Sequence, residues 1–250
     1  MSPIVWRVEH FAEIDSTNTY LLDQVRDDLA EGLVALADFQ SSGRGRLDRA
    51  WVSPPRASLL CSILLRPNLD ATQLQLVVAI VALATRSALE RLCGLRPQLK
   101  WPNDLVVGQH KLAGLLAEVV KTTSGFAVVV GLGVNLTYEG PEDVAATSVR
   151  GETGVTIAPR ALLDIVLEEI EARCSRLDSK EGRVALRDEY TRALATIGQY
   201  VRVEQLDGSC SGFARGVDES GQLLVEVDGA VRAFGAGDVV HVRPRGAVQR

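Results

Sequence analysis

Residues 126–136, Phe-Ala-Val-Val-Val-Gly-Leu-Gly-Val-Asn-Leu, are the stretch that decides the fold. The run is apolar almost from end to end, whereas a strand with one wet face would alternate apolar and polar residues. It therefore predicts a strand buried on both faces, in the centre of a sheet. Gly131 and Gly133 interrupt this strand. Because glycine weakens a strand, its presence suggests that another group approaches the backbone there.

A third strand glycine, Gly114, lies in the preceding hairpin, which is predicted over 105–107 and 111–120 with a turn around Gly108 and Gln109. Glycines on neighbouring strands would leave a slot lined by backbone, able to take a flat apolar ligand. Bulges explain any single glycine equally well, but explain all three less well. The predicted sheet thus offers a candidate binding slot.

Further elements are predicted on both sides of this hairpin and strand. Strands are expected over 4–14, 33–39, 58–65 and 99–101, and helices after N-caps at 15–18, over 72–93, from Pro159 and over 180–195. The helix from Pro159 carries an apolar stripe, which predicts one buried face: Leu163, Val166, Leu167, Ile170, Cys174 and Leu177.

Beyond Gly198 the composition changes to short β-type runs separated by Asp-Gly and Ser-Gly turns. The runs are 200–205, 210–217, 223–227, 231–234 and 239–242. Their spacing predicts a small β-barrel with no evident catalytic set. Two domains are expected, 1–197 and 198–250.

The composition is that of an ordinary globular protein, with 46% hydrophobic and 24% charged residues and a net charge of −5. An acidic chain is not expected to bind nucleic acid generally, so any anion site must be local. The N-terminus has no signal-peptide pattern, and the longest apolar run, 74–84, is too short to span a bilayer. Four scattered cysteines favour free thiols in a reducing cytosol.

A local anion site is predicted in residues 40–51, Gln-Ser-Ser-Gly-Arg-Gly-Arg-Leu-Asp-Arg-Ala-Trp. Gly43 and Gly45 would allow positive φ and bring backbone N–H groups close to a ligand. The three arginines add guanidinium forks, which suit phosphate or carboxylate oxygens. A solvated basic loop is the alternative interpretation.

Residues 100–104, Lys-Trp-Pro-Asn-Asp, place a cation, an indole, a rigid turn, an amide and a carboxylate together. Lys111 begins a strand across the hairpin, so Asp104 and Lys111 can lie near each other. A lysine there would neutralise charge that develops in a transition state, and Asp104 could hold a nucleotide-bound Mg²⁺. The alternatives are a plain Asx-turn and an exposed strand lysine.

Together these motifs resemble the biotin–protein ligases, which activate biotin with ATP and transfer it to a lysine of a carrier domain. The resemblance covers nearly the whole chain and rests on five motifs in the family's order: Ser16-Thr17-Asn18, Gln40 with Gly43-Arg44-Gly45-Arg46, Lys100 to Asp104, Lys111 to Leu116 and Gly131 to Asn135. It implies an α+β fold, with a mixed sheet and packing helices like those of class II synthetases, followed by an SH3-like domain. No room is expected for the N-terminal DNA-binding domain of some members.

The resemblance also implies the ligands, ATP with Mg²⁺ and biotin as substrate. The implied partner is the biotin carboxyl carrier domain of a carboxylase, in the cytoplasm, with no nucleic acid and no membrane. The family includes dimers, and no segment here proves or excludes one. The nearest rival is a lipoate–protein ligase, which shares the fold, although polar contacts from Ser16, Thr17 and Gln40 favour a ureido ring over a dithiolane. A non-catalytic regulator that senses biotin or a nucleotide is the other rival.

The same resemblance implies roles for individual residues. The biotin-binding set is Ser16, Thr17, Asn18, Gln40, Arg44, Gly45, Arg46, Lys111, Gly114, Leu116 and Gly133. The ATP or adenylate set is Arg46, Arg49, Trp51, Asn103, Lys111 and Asn135. The catalytic set is Lys111, Arg44, Arg46 and Asp104, with Asp104 as the metal contact. Lys111 would sit where carboxylate meets α-phosphate. The chain departs from the familiar Gly-Arg-Gly-Arg-Arg-Gly-Arg form at Leu47-Asp48.

Overall fold

Two β-sheets organise the chain in the computed structural model, which describes residues 3–25, 29–47, 49–205, 208–235 and 237–241. The strands of the first sheet are β1 (Arg7–Phe11), β2 (Leu33–Ala37), β3 (Ser58–Leu65), β4 (Gln98–Lys100), β5 (Asp104–Val107), β6 (His110–Thr122) and β7 (Gly125–Asn135). They are ordered β1-β2-β3-β7-β6-β5-β4. Strands β1 and β2 are parallel, and the other neighbours are antiparallel. Strand β7 is therefore central, as its apolar run predicts.

Helices pack on both faces of this sheet. The helices are α1 (Thr17–Gln24), α2 (Gln75–Cys93), α3 (Val149–Thr153), α4 (Pro159–Cys174) and α5 (Lys180–Ala193). Helices α2, α4 and α5 contribute to the main core, where the whole predicted stripe is buried, its last residue, Leu177, lying in the short 3₁₀ turn after α4. Helix α1 covers part of the opposite face. The predicted helices are confirmed, but α3 was not predicted because five residues are too few to show a helical period.

The alternation of side chains along β7 explains where a cavity forms. Val128 and Val130 face the main core, whereas Ala127 and Val129 face α1. Because side chains alternate along a strand, the α1 face continues through Gly131, Gly133 and Asn135. The register of β7 with β3 and with β6 runs through both glycines without a shift, so neither marks a bulge. At Gly131 and Gly133 this face of the sheet carries no side chain of β7, which leaves room for a cavity.

The first strand is shorter than the predicted span of 4–14. Strand β1 covers only Arg7–Phe11, because each of its residues pairs with one residue of the equally short β2. Beyond it, Ile14 pairs with Gln40 in an isolated bridge. This bridge still ties the start of α1 to Gln40, the residue that precedes the arginine loop, residues 41–51.

The second sheet is antiparallel and forms from the C-terminal strands. They are β8 (Tyr200–Gln205), β9 (Gly208–Val217), β10 (Leu223–Val227), β11 (Ala230–Phe234) and β12 (Asp238–His241), in the order β11-β10-β9-β8-β12. The predicted C-terminal β-domain is confirmed, although Val242 of its last predicted strand lies outside the described residues. Trp101, which is only 1% exposed, donates its indole N–H to Gly221 O at 3.2 Å and so joins the two sheets. No helix among the described residues is long and apolar enough to cross a membrane.

Candidate functional site

A cavity of about 410 Å³ opens on the face of the first sheet that carries the strand glycines. All the residues that the resemblance implies line this cavity: Ser16, Thr17, Asn18, Gln40, Arg44, Gly45, Arg46, Arg49, Trp51, Asn103, Asp104, Lys111, Gly114, Leu116, Gly133 and Asn135. Segments that lie far apart in the chain thus meet in one place.

One end of the cavity is polar. Ser16 caps α1, accepting from Thr19 N, so the first residues of the helix face the cavity. Gln40 Oε1 accepts from Thr17 N at 2.8 Å and from Thr17 Oγ1 at 2.9 Å. These contacts fix the side chain of Gln40 and leave its amide N–H₂ group for another partner.

Asn18 is held entirely by the protein. Its Nδ2 donates to Leu116 O at 3.2 Å and to Glu118 Oε2 at 2.8 Å, and its Oδ1 lies 2.5 Å from Ser62 Oγ. A Cβ at Gly131 would stand 2.4 Å from Asn18 Oδ1, so only glycine leaves room for this side chain. Asn18 is thus part of the wall of the cavity.

The slot predicted at the strand glycines is filled by the chain's own indole. A Cβ at Gly133 would stand 2.5 Å from Trp51 Cε2, and one at Gly114 would stand 3.1 Å from Trp51 Cζ3. Gly114 and Gly133 therefore seat Trp51 against the sheet, and direct contact of these glycines with a flat ligand stays a prediction. The indole Nε1 is buried without a hydrogen-bond partner.

The arginine loop differs from the prediction in its backbone. Neither Gly43 nor Gly45 has positive φ, and among the described residues of the loop the left-handed one is Leu47, at φ 53°. Gly43 is needed for close approach instead, because a Cβ there would stand 2.4 Å from Trp51 O. Arg44 and Ala50 pair in an isolated bridge, which closes the loop on itself. Asp48, the other departure from the family's pattern, lies outside the described residues.

Each basic side chain of the cavity pairs with a carboxylate. Arg44 NH2 lies 2.9 Å from Glu118 Oε1, Arg49 NH2 lies 2.5 Å from Asp238 Oδ2, and Arg46 NH1 lies 3.5 Å from Asp238 Oδ1. Arg46 also donates to Asn103 Oδ1 at 3.1 Å and to Gly237 O at 3.2 Å. The arginine loop is thereby attached to both sheets.

Lys111 lies beside Asp104, as the hairpin predicts. The Lys111 Nζ to Asp104 Oδ1 distance is 2.7 Å, a close ion pair that is not aligned as a hydrogen bond. The ammonium group also lies 5.7 Å from the centroid of the Trp51 ring, within the range of a cation–π contact. The Lys111 backbone pairs with a neighbouring segment, donating to Ala145 O at 2.9 Å and accepting from Thr147 N at 3.0 Å. Both contacts fix the base of the lysine side chain.

The Lys100–Asp104 motif divides between two roles. Asn103 and Asp104 line the cavity, and Asn103 Nδ2 donates to Leu115 O at 2.6 Å. Trp101 is instead a core residue that contacts the second sheet, and Lys100 does not line the cavity. Only the end of the motif therefore belongs to the site.

Sequence reasoning missed three residues of the site: Asp238, which lines the cavity, and Glu118 and Ser62, which hold lining residues in place. Glu118 could have been found by alternation, because it follows Gly114 and Leu116 on the same face of β6. Ser62 could not, since its position depends on how β3 pairs with β7. Asp238, together with Gly237 O, comes from the C-terminal domain, where no site residue was expected.

Cys61 also borders the cavity, but its thiol is unreactive. Burial raises the pKa of its thiol to about 12, so it remains protonated at neutral pH. The basic groups and the polar end therefore define the chemistry of the cavity.

Comparison with known protein families assigns both parts of the chain. Residues 10–135 match the Biotin/lipoate A/B protein ligase family, and residues 196–242 match the Biotin protein ligase C terminal domain. The chain is 35% identical over 248 residues to a biotin–[acetyl-CoA-carboxylase] ligase of Mycobacterium tuberculosis, an alignment covering 95% of this chain and 90% of that protein. It is 32% identical to the bifunctional ligase/repressor BirA of Escherichia coli, covering 90% of this chain and 71% of that protein.

Solved structures agree with these matches. A biotin protein ligase from Aquifex aeolicus, in complex with biotin and ATP, superposes with a TM-score of 0.81 at 28% identity, covering 94% of this chain and 98% of that one. The apo structure of the Aquifex aeolicus ligase gives a TM-score of 0.77 at 24% identity, covering 96% of this chain and 100% of that one. The predicted α+β fold is confirmed. The chain belongs to the biotin–protein ligase family.

Proposed function

We propose that this chain activates biotin with ATP to biotinyl-5′-adenylate and transfers the biotin to a lysine of a biotin carboxyl carrier domain. The observation that carries this proposal is the meeting of Arg44, Arg46 and Lys111 with the polar end at Ser16, Thr17 and Gln40 in one cavity. The relatives named as biotin ligases, which align over most of the chain, support it.

In the first step, the biotin carboxylate oxygen attacks the α-phosphorus of ATP, and the bond to pyrophosphate breaks. Both reactants are anions, so their encounter requires nearby positive charge. Lys111 is held beside the slot by its backbone pairing and can reach the point where carboxylate and phosphate meet. The ligand oxygens must join or replace Asp104 and Asp238 as partners of the basic groups.

In the second step, the carrier lysine amine attacks the carbonyl carbon of the adenylate, the bond to AMP breaks, and the amine loses a proton. The mixed anhydride hydrolyses readily, so water must be excluded until the carrier arrives. The arginine loop can do this because it lies over the cavity and contacts both sheets through Arg46. No enzyme nucleophile takes part, consistent with the protonated Cys61 thiol.

The donor set fits a magnesium ion carried by the nucleotide. Magnesium usually takes one or two carboxylates together with phosphate oxygens and water, and Asp104 offers a carboxylate in the cavity lining beside Lys111. Among the described residues, no group of three or more His, Cys, Asp or Glu side chains could hold a metal by itself. When bound, Mg²⁺ would offset phosphate charge beside Lys111, with Asp104 as the protein contact.

The adenine end is proposed at Asn135 and Trp51. Asn135 is 4% exposed and its Nδ2 donates to Thr147 O at 3.0 Å, which leaves the carbonyl oxygen of its side chain for an exocyclic amine. Gly140 and Val144 line the cavity beside it. These contacts would suit a flat base rather than a second anion.

Several wider expectations remain proposals. The carrier is proposed to belong to an acetyl-CoA carboxylase, as in the names of the relatives. A division into domains at 197 and 198, a cytoplasmic location and the absence of a nucleic-acid partner are proposed with it. The four free cysteines and the net charge of −5 support the last two.

The test combines pyrophosphate release with carrier mass. Purified protein is incubated with ATP and either biotin or lipoate, and then with a biotin carboxyl carrier domain. We expect pyrophosphate release with biotin and a carrier mass increase of one biotinyl group. A lipoyl gain without a biotinyl gain would identify a lipoate ligase. Biotin binding without pyrophosphate release would identify a non-catalytic sensor.

A further inference from the structure

We infer that Glu118 is a positioning residue. Its single carboxylate fixes both Arg44, the first arginine of the loop, and Asn18, which forms the wall at the polar end of the cavity. Glu118 lies on β6, two residues beyond Leu116, so its side chain points to the cavity face of the sheet. The side chain is 25% exposed, between the open loop and the buried wall.

The two oxygens of Glu118 have distinct partners. Oε1 accepts from Arg44 NH2 at 2.9 Å, and Oε2 accepts from Arg44 NH1 at 3.2 Å, so the guanidinium and carboxylate meet as two parallel bonds. Such a fork fixes the direction of the arginine as well as its distance. Arg44 keeps further N–H donors for a ligand, because a guanidinium has about five and the fork uses two.

Oε2 of Glu118 also accepts from Asn18 Nδ2 at 2.8 Å. Asn18 is 4% exposed and touches Ser62, whose Oγ lies 2.7 Å from Thr17 Oγ1. Thr17 in turn donates to Gln40, which precedes the arginine loop. The contacts therefore form a chain that runs from the residue before the loop to its first arginine: Gln40, Thr17, Ser62, Asn18, Glu118 and Arg44.

This chain of contacts distinguishes Glu118 from Asp104 and Asp238, the carboxylates among the described residues that line the cavity. Asp104 and Asp238 contact basic groups, but their partners Lys111, Arg46 and Arg49 are not linked to the polar end by these contacts. Glu118 connects the loop to Thr17 and Gln40. The position of Arg44 and the shape of the polar end of the cavity are therefore fixed by the same contacts.

The first test measures the loop in the protein without ligand. Trypsin cleaves after arginine, so cleavage within 44–49 reports how often the loop leaves the cavity. Glu118→Gln keeps the size of the side chain but cannot accept both Arg44 bonds, and we expect about tenfold faster cleavage, as for loss of a charge-assisted hydrogen bond. Glu226→Gln is the matched control, because Glu226 pairs with Arg215 in the second sheet, away from the cavity.

A double-mutant cycle distinguishes positioning from general loosening. In an Arg44→Ala background, cleavage after Arg46 and Arg49 still reports on the loop. If Glu118 acts through Arg44, Glu118→Gln should add little in that background, whereas independent effects would add. Unchanged cleavage in the single variant, or the same increase in both backgrounds, would overturn the inference.

The second test concerns the ligand and rests on the proposed function. We expect Glu118→Gln to raise the Kd for biotin by about tenfold, because Asn18 and Thr17 lose a fixed position. The rate at saturating biotin and ATP should fall by less than the biotin affinity, since Glu118 contacts no reacting atom and acts only through Arg44 and Asn18. A fall in that rate with unchanged biotin affinity would contradict a positioning role. If the proposed function fails instead, pyrophosphate release is lost in the parent protein while the proteolysis result stands.

Discussion

Lys111 is the residue on which the proposed chemistry depends most directly. Its ammonium lies between Asp104 and the ring of Trp51, in the cavity where two anionic reagents are proposed to meet. We expect Lys111→Ala to reduce adenylate formation by at least about a hundredfold, because one preorganised charge at a developing anion contributes this much. Pyrophosphate release with biotin and ATP measures the effect.

The control for this variant is Lys121→Ala, which removes an exposed lysine from the far end of the same strand. Both variants should keep the parent's unfolding midpoint to within a few degrees, since neither lysine is in the core. Normal pyrophosphate release by Lys111→Ala would remove the central assignment. A loss shared equally by Lys121→Ala would indicate a general defect.

Gly133 is a residue whose missing side chain matters. A methyl group there would stand 2.5 Å from Trp51 Cε2, so Gly133→Ala must move the indole. We expect adenylate formation to fall at least about tenfold, because overpacking of this kind costs about 1–3 kcal/mol and displaces a cavity wall. Gly216→Ala is the matched control, since nothing lies within 4 Å of its added Cβ. Equal activity of the two variants would show that the indole is not needed where it lies.

At the scale of the element, the arginine loop is the part whose contacts can be tested separately. Arg46 joins the loop to Asn103 on one side and to Gly237 and Asp238 on the other. We expect Arg46→Ala to release bound adenylate about tenfold faster, because these contacts hold the loop over the cavity. Retention of labelled adenylate through gel filtration measures the rate.

The matched control for the loop is Arg56→Ala, which removes an arginine with a 77% exposed side chain that pairs with Asp38 outside the cavity. Its adenylate retention should equal that of the parent protein. Retention in Arg46→Ala that matches this control would mean that the loop is not held by Arg46.

The elements also show what local sequence could and could not predict. The apolar run of β7 predicts a central strand because burial on both faces leaves a direct mark on composition. The positive φ of Leu47 was not predicted, because leucine carries no local signal for a left-handed backbone and the neighbouring glycines do. Asp238 was not predicted because its place in the cavity depends on how the second sheet docks, a long-range contact without a local pattern.

At the scale of the whole molecule, Arg173 joins three helices that support the sheet from behind. It is 7% exposed and donates from α4 to Glu169 Oε2 at 2.6 Å, to Glu189 Oε1 of α5 at 2.9 Å and to Ser87 of α2. Burial, the largest single effect, raises the pKa of Glu169 and Glu189. The hydrogen bonds and charges of Arg173, together with those of Arg91 at Glu169 and Arg176 at Glu189, outweigh it and lower both pKa values below 4.5. The helix cluster is therefore sensitive to acid.

The sign of this sensitivity follows from linkage. Because both folded pKa values lie below the unfolded value of 4.5, the unfolded chain binds more protons as the pH falls. The stabilisation is fully present above that pH and is lost as the pH falls through the lower, folded values. We expect the urea midpoint to fall between pH 7 and pH 3.5, and to fall less in Arg173→Lys, whose single ammonium cannot replace the fork to both carboxylates.

Arg202→Lys is the control for this measurement, because Arg202 and Glu204 form an exposed pair in the second sheet and such pairs contribute little to stability. The pH dependence of its urea midpoint should follow that of the parent protein. The other carboxylates contribute equally in all three proteins, so their contribution cancels in the comparison. The same midpoint shift in Arg173→Lys as in the parent would mean that the Arg173 cluster does not determine the loss of stability at low pH. A smaller midpoint shift in Arg173→Lys, with adenylate formation unchanged at neutral pH, would show that the stability of the helix cluster and the activity of the cavity can be altered separately.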